Sequence, residues 1–255
     1  MQAAAATEIC IEQHNLEIHQ NFELWKKKAV LRKVYSQFYR QIAARLIPSA
    51  RSLTVELGSG MGNIKEHVPE CVTTDIFPNP WLDRVEDAYG LSFSDGAVDN
   101  LILFDVWHHL QYPGTALREF ARVLGPSGRL IIFEPAMGWV GRFIFGRFHH
   151  EPLGMEDEIE WEAPADFSSR DCAYYAAQGN ATRVFGSDVF RDKMRDWRIA
   201  EIRYFSALAY VASDGFRGPQ LYPAALLPCV NLVDSLLSRI PKLASRMLVV
   251  LEKRP

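Results

Sequence analysis

The stretch Ser52-Leu-Thr-Val-Glu-Leu-Gly-Ser-Gly-Met-Gly-Asn63 decides how this chain is read. Its first half is an apolar run carrying β-branched Thr54 and Val55, which reads as a strand stopping at Glu56-Leu57. Gly58, Gly60 and Gly62 follow at every second position and mark a turn at the strand's end. Glycine reaches positive φ and carries no Cβ, so a ligand can lie directly against the main chain there. Taken alone, the stretch suggests a nucleoside ligand. The dinucleotide fingerprint Gly-x-Gly-x-x-Gly needs a glycine where Asn63 stands, which argues against a nicotinamide or flavin enzyme.

Working outward, strands alternate with helices. Cys71-Val-Thr-Thr-Asp75 reads as a second short strand ending in an acid, and Arg84-Val-Glu-Asp87 as a third that also ends acidic. Val98 to Phe104 is a near-continuous apolar run, the pattern of a central parallel strand covered on both faces. Thr115 to Leu124 reads as a helix, and Gly125-Pro-Ser-Gly128 as the turn into a fifth strand, Arg129 to Glu134. A helix capped by Ser187 and running to about Trp197, a strand Ile199 to Phe205, an apolar helix around Ala224 to Ile240 and a closing strand Met247 to Leu251 complete the series. This order implies a parallel sheet with helices on both faces. Ligands of such sheets bind beyond the carboxyl ends of the strands, where Gly58, Asp75, Asp87, Asp105 and Glu134 gather.

The flanks are less regular. Residues 1 to 20 are weakly patterned and are expected to fray, and a helix is expected from Asn63 to His67 and beyond. Phe22 to Leu46 reads as one amphipathic helix, with Lys26, Lys27, Lys28, Arg32 and Lys33 on a solvated face. The chain is expected to form one domain over 1–255, with 1–48 a helical extension and 136–185 and 206–241 insertions that act as lids or binding loops.

With 28 Lys+Arg against 31 Asp+Glu the formal net charge is -3, so no global basic field favours nucleic acid. Cys10, Cys71, Cys172 and Cys229 fall in no Cys-x-x-Cys pattern and are read as reduced thiols. The first residues lack the basic and apolar regions of a secretory signal, and no apolar run reaches the roughly 18 residues of a spanning helix, so a cytoplasmic location is expected.

The ordered motifs Val-Glu-Leu-Gly-Ser-Gly-Met-Gly, Thr-Asp-Ile, Val-Glu-Asp-Ala, Leu-Ser-Phe-Ser-Asp-Gly-Ala-Val-Asp, Val-Trp-His-His-Leu and Ala-Arg-Val-Leu-Gly-Pro-Ser-Gly-Arg-Leu resemble those of the class I S-adenosylmethionine-dependent methyltransferases, in particular the small-molecule, methyltransferase type 11-like group. The resemblance covers roughly residues 50 to 136. It implies a Rossmann-like doubly wound sheet, mostly parallel with an antiparallel last strand, and insertions after the fifth and sixth strands. It also implies S-adenosylmethionine as cofactor and S-adenosylhomocysteine as product. Glu56 and the turn Gly58, Ser59, Gly60, Gly62 and Asn63 would take the methionine moiety. Asp75 would accept from the ribose hydroxyls and Asp87 from the adenine amino group, while Ile76, Ala88 and Phe104 would flank the ring.

The implied reaction is attack of an acceptor on the methyl group of a sulfonium, so the protein must align the acceptor, exclude water and remove a proton if the acceptor is a hydroxyl. Histidine suits the last task because its pKa lies near neutrality. His108 and His109 follow the fourth strand, and His149-His150-Glu151 lies in the insertion; His109, His108 and His150 are the candidate bases. The pairs form no recognised metal spacing, and no metal is expected. The run Met137-Gly-Trp-Val-Gly-Arg-Phe-Ile-Phe-Gly-Arg-Phe148 reads as a helix packed on the sheet, as the lining of an acceptor pocket, or as a peripheral membrane contact. The acceptor is expected to be a small or lipid-linked molecule, including a saccharide, methylated on oxygen. A sensor or scaffold that binds the cofactor without turnover is the alternative. An RNA or protein substrate is disfavoured by the charge and by Phe104-Asp-Val-Trp107 where an Asn-Pro-Pro-Tyr-type motif would stand. The oligomeric state stays open.

Overall fold

The computed structural model describes residues 2–48, 52–169 and 174–254. The strands are β1 Thr54–Leu57, β2 Val72–Asp75, β3 Arg84–Val85, β4 Val98–Phe104, β5 Leu124–Pro135, β6 Trp197–Phe205 and β7 Arg246–Lys253. They form one sheet in the order β3-β2-β1-β4-β5-β7-β6. Neighbours from β3 to β5 are parallel, and β7 runs antiparallel between β5 and β6. The fold is the expected Rossmann-like α/β arrangement with an antiparallel last strand. The helices are α1 Gln2–Lys27, α2 Ala29–Ala43, α3 Pro113–Val123, α4 Trp139–Phe148, α5 Asn180–Phe185, α6 Leu208–Val211 and α7 Leu227–Leu237.

Successive side chains of a strand point to opposite faces, so an apolar run must find a cover on both sides. On one face Leu101, Leu103, Leu130, Ile132, Met247 and Val249 pack with Phe120 and Val123 of α3 and with Val184 and Phe185 of α5. On the other, Ile102, Phe104, Ile131, Phe133, Leu248 and Val250 pack with Val34, Tyr35, Phe38 and Ile42 of α2. Phe38 and Phe133 meet with ring centroids 4.7 Å apart. Truncating either ring to alanine removes a fully enclosed aromatic, at a cost of about 3–5 kcal/mol.

That second cover explains several departures from the sequence reading. In place of the helix expected from Asn63 there is only a 3-10 turn, Asn63–Glu66, and no helix joins β2 to β3. Helix α2 supplies apolar cover on this face instead. Residues 2–20 are helical, where fraying was expected. The helix expected over Phe22 to Leu46 is broken at Lys28, whose ammonium is buried and donates to the carbonyls of Gly215 and Gly218. The break is thus a tertiary effect, and Lys28 is not on a solvated face; Lys26 is, paired with Glu23. Ser187 caps nothing, its hydroxyl donating to the Arg183 carbonyl, and the segment after it holds a 3-10 turn at Arg191–Met194. Gly125 to Gly128 belong to β5, where the register against β4 shifts and Ser127 takes φ 61°. Cys71 is a buried and Cys229 an exposed free thiol; Cys172 and the Cys10 side chain lie outside the described residues.

Candidate functional site

β1 delivers Glu56 and the glycine turn to the carboxyl end of the sheet. Gly58, Gly60 and Gly62 adopt φ 65°, 53° and 67°, in the left-handed region that side chains resist. A Cβ on Gly58 would stand 2.3 Å from Val106 Cγ2, so the segment after β4 packs directly on the turn. A Cβ on Gly60 would meet nothing within 4 Å: the turn faces open space. Ser59 fastens the turn, its hydroxyl donating to the Glu56 carbonyl at 3.0 Å and accepting from the Thr74 amide at 3.1 Å. Asp75 ends β2 and accepts from the amides of Ile76 (2.8 Å) and Gly60 (3.1 Å), joining the two strand ends.

Glu56 is 1 % exposed, and among the described residues neither of its carboxylate oxygens has a hydrogen-bond partner. Burial pushes its pKa up to about 8, against the opposing pull of the nearby Ser59 and Tyr39 hydroxyls. A carboxylate kept dry and unpaired is costly, and a cationic ligand group would relieve that cost. Asp87 accepts from the Tyr89 amide at 2.9 Å, and Ala88 packs on the core. Ile76 is 47 % exposed, an apolar side chain without cover beside the Asp75 carboxylate. The Phe104 ring is committed to the core, stacked on Tyr35 with centroids 5.3 Å apart and edge-on to Phe133. Asn63 opens the 3-10 turn behind Gly62.

Next to this cradle lies a cavity of about 290 Å³. Its walls come from α1 (His14, Glu17, Ile18, Asn21), from the residues after β4 (Asp105, His108, His109), from α4 and its exit (Phe145, His149, His150, Glu151), and from Tyr174, Gln178, Tyr210 and Arg246. His14 joins the two halves of the site, with Nε2 3.5 Å from Asp75 Oδ1.

Within the cavity the sheet fixes the charges. Glu134, at the end of β5, is fully buried; it accepts from the Trp107 amide at 2.7 Å and holds His108 Nδ1 at 2.6 Å. Burial works against charge on His108, but the Glu134 carboxylate overcomes it and raises the His108 pKa. His109 Nδ1 lies 3.0 Å from the Tyr175 carbonyl, which fixes the proton on that nitrogen and leaves Nε2 as an acceptor. Burial lowers the His109 pKa to about 4, as it does for His149. Glu151 accepts from Tyr174 and Gln178 and faces three histidines: His108 at 3.7 Å, His109 at 3.9 Å and His149 at 3.5 Å. Arg246 is buried and pairs with Asp105, whose backbone is held at φ 58°. His150 sits at the rim, exposed, with Nδ1 2.6 Å from an Arg217 nitrogen.

The structure thus gathers His108, His109 and His150 around one cavity. Sequence reasoning missed His14, Tyr174, Gln178 and Arg246. For Arg246 a signal existed: an arginine opening an otherwise apolar strand needs a buried partner. The others lie on segments without a readable pattern.

Residues 55–132 match the family model described as a methyltransferase domain. No curated protein matches the chain by sequence. Among solved structures, the chain is similar to one in the complex between the Haloferax volcanii Trm112 methyltransferase activator and a methyltransferase, at 14% identity, with 96% of this chain and 97% of that chain covered and a TM-score of 0.56. It is also similar to a SAM-dependent methyltransferase from Thermotoga maritima, at 12% identity, covering 93% and 99% of the two chains with a TM-score of 0.51. At such identities these likenesses speak of the fold alone. The matched segment holds Glu56, the glycine turn, Asp75 and Asp87 in order on the sheet described above, and the chain is similar in fold to S-adenosylmethionine-dependent methyltransferases.

Proposed function

We propose that the protein transfers a methyl group from S-adenosylmethionine to a hydroxyl oxygen of a small polar acceptor group carried on a lipid. One observation carries this reading: a cavity rich in histidine and carboxylate adjoins the glycine cradle at the carboxyl end of the sheet. When bound, S-adenosylmethionine supplies an electrophilic methyl group on a sulfonium. Glu56 would hold its amino group; the unpaired, buried oxygens of that side chain fit a cation. Asp75 has lone pairs left for the ribose hydroxyls, Asp87 would take the adenine amino group, and exposed Ile76 would find cover against the ring. Phe104 would support the site from within the core, since its own ring is already packed.

On the acceptor side, Tyr174, Gln178, His149 and Arg246 offer hydrogen bonds to a polar group, and α1 with His14 and Ile18 forms one wall of the cavity. The acceptor's proton leaves toward the His108, His109 and Glu151 cluster.

The lipid part of the reading rests on α4 and α7. On α4, Trp139, Phe143 and Phe148 are about two-thirds exposed, beside exposed Arg142 and Arg147. Helix α7 buries Leu227 and turns Asp234 inward to accept from the amides of Leu208 (2.6 Å) and Ala209 (2.9 Å), while Leu232, Val233 and Leu236 face solvent. Lys242, just beyond α7, sits 5.4 Å from the Trp139 ring. An apolar face edged with cations that form no ion pair among the described residues suits the surface of an anionic leaflet, and α4 leads straight into the cavity at His149. No helix of the described residues is long and apolar enough to cross a membrane.

Release of S-adenosylhomocysteine is the test, with vesicles carrying hydroxylated lipid headgroups and, separately, the free headgroups. Turnover with the lipid-borne hydroxyls supports the reading. Cofactor binding without turnover across the panel would favour the sensor or scaffold alternative.

A further inference from the structure

We propose that His108, His109 and Glu151 form a binding site for one divalent first-row transition-metal ion, open to the acceptor cavity. Their ligand atoms all lie within 4.8 Å of one another. The two His Nε2 atoms stand 3.7 and 3.9 Å from the Glu151 oxygens, too far for hydrogen bonds. Atoms bonded to one ion at about 2.0–2.2 Å face each other across a gap only slightly smaller than this.

The surroundings are those of metal ligands. A ligating imidazole donates its other N–H to a carboxylate or a backbone carbonyl, which aims the free nitrogen at the ion. Both histidines are held in this way, His108 by Glu134 at 2.6 Å and His109 by the Tyr175 carbonyl at 3.0 Å. The Glu151 carboxylate is steered by Tyr174 and Gln178, and each of its oxygens keeps a further lone pair. Two imidazoles and one carboxylate favour zinc, manganese, iron or cobalt over calcium or magnesium. Three protein ligands facing a cavity leave a position for a ligand oxygen, the pattern of a catalytic rather than a structural site.

A neighbouring set, Asp105, His108 and Glu134, also clusters. It is the poorer site, because Asp105 already pairs with the buried Arg246 guanidinium, which would repel a cation. The spacing in sequence hid the better one, since its ligands come from the turn after β4 and the segment after α4.

The ion's role rests on the methyl-transfer reading: it would bind the acceptor hydroxyl oxygen and make its proton more acidic, and with both imidazoles on the ion the Glu151 oxygen that does not bind it would take that proton. Metal binding itself does not rest on that reading, and the two can fail separately. The full chain, stripped with chelator, is titrated with Co2+ followed by its visible absorption, and with Zn2+ in competition with a chromogenic chelator. The expected result is one ion per chain. Affinity should fall about 10–100-fold in Glu134→Gln, which loses only the support of His108, and further in His109→Ala and near-isosteric Glu151→Gln. Lys242→Ala should bind as the wild type does. Calorimetry with S-adenosylhomocysteine on the same variants verifies their fold. Wild-type protein that takes up neither ion, or a Glu151→Gln protein that binds cofactor and takes up metal as the wild type does, overturns the proposal.

Discussion

The two halves of the site are built by opposite means. The side proposed for the cofactor is backbone: a turn of three left-handed glycines and the acids at the ends of β1 and β2, all within Glu56 to Asp87. The side proposed for the acceptor is side chains, drawn from α1, from the ends of β4, β5 and β7, and from α4 and the segments after it. The first half needs close approach to the main chain, which a short local motif provides. The second needs charges held at fixed distances in a dry space, which only the assembled sheet provides. A cofactor common to a family therefore leaves a compact signature, and an acceptor particular to one protein does not.

Changes on either side should separate these halves. The largest effect is expected on the acceptor side: His109→Ala should lower the single-turnover methylation rate by about 10²–10⁴-fold while leaving S-adenosylhomocysteine affinity within about twofold. An equal loss of both would mean that the two halves are one unit. On the cofactor side, Gly58→Ala adds a Cβ 2.3 Å from Val106 Cγ2 at a positive φ, and should cost about 2–4 kcal/mol in denaturant unfolding. Gly60→Ala meets no neighbour, so its cost to stability should be only the strain of about 1–2 kcal/mol, with cofactor affinity falling disproportionately. Exchanging Trp139 and Phe143 for serine should weaken sedimentation with anionic vesicles several-fold and spare turnover of a free headgroup.

The smallest effect is in pH. Glu56 holds its proton up to about 8 in the folded protein, against 4.5 in its unperturbed state. The native state thus binds more protons than the unfolded one between these values. Its contribution to stability is full below about 4.5 and is lost as pH rises past about 8. Thermal melts of the cofactor-free protein from pH 5 to 8 should show this decline, and Glu56→Gln should flatten it.

What the sequence made legible follows from the same physics. β4 was readable to the residue, Val98–Phe104, because a strand buried on both faces must be apolar throughout. Asp75 was readable because it ends a short strand, whereas β3 stops at Val85, two residues before the Asp87 expected to end it. Helix α1 was not, since His14, Ile18 and Asn21 make sense only against the cavity they cover. The break at Lys28 was not, because its cause is two carbonyls nearly 190 residues away. The Phe104 ring was expected beside the adenine, but position at a strand end does not say which face a side chain takes. Tyr35 and Phe38 from α2 decide that.

The most direct test is calorimetry of S-adenosylhomocysteine with wild-type protein and Glu56→Gln at pH 7. The buried, unpaired carboxylate should accept from the ligand's ammonium group, so the variant should bind about 10- to 100-fold more weakly, the weight of a charged hydrogen bond. Wild-type binding should release a proton near pH 7, seen as a dependence of the heat on the buffer, and the variant should release none. Equal affinities, with no proton released by either protein, would contradict the assignment of Glu56 and with it the cofactor half of the site.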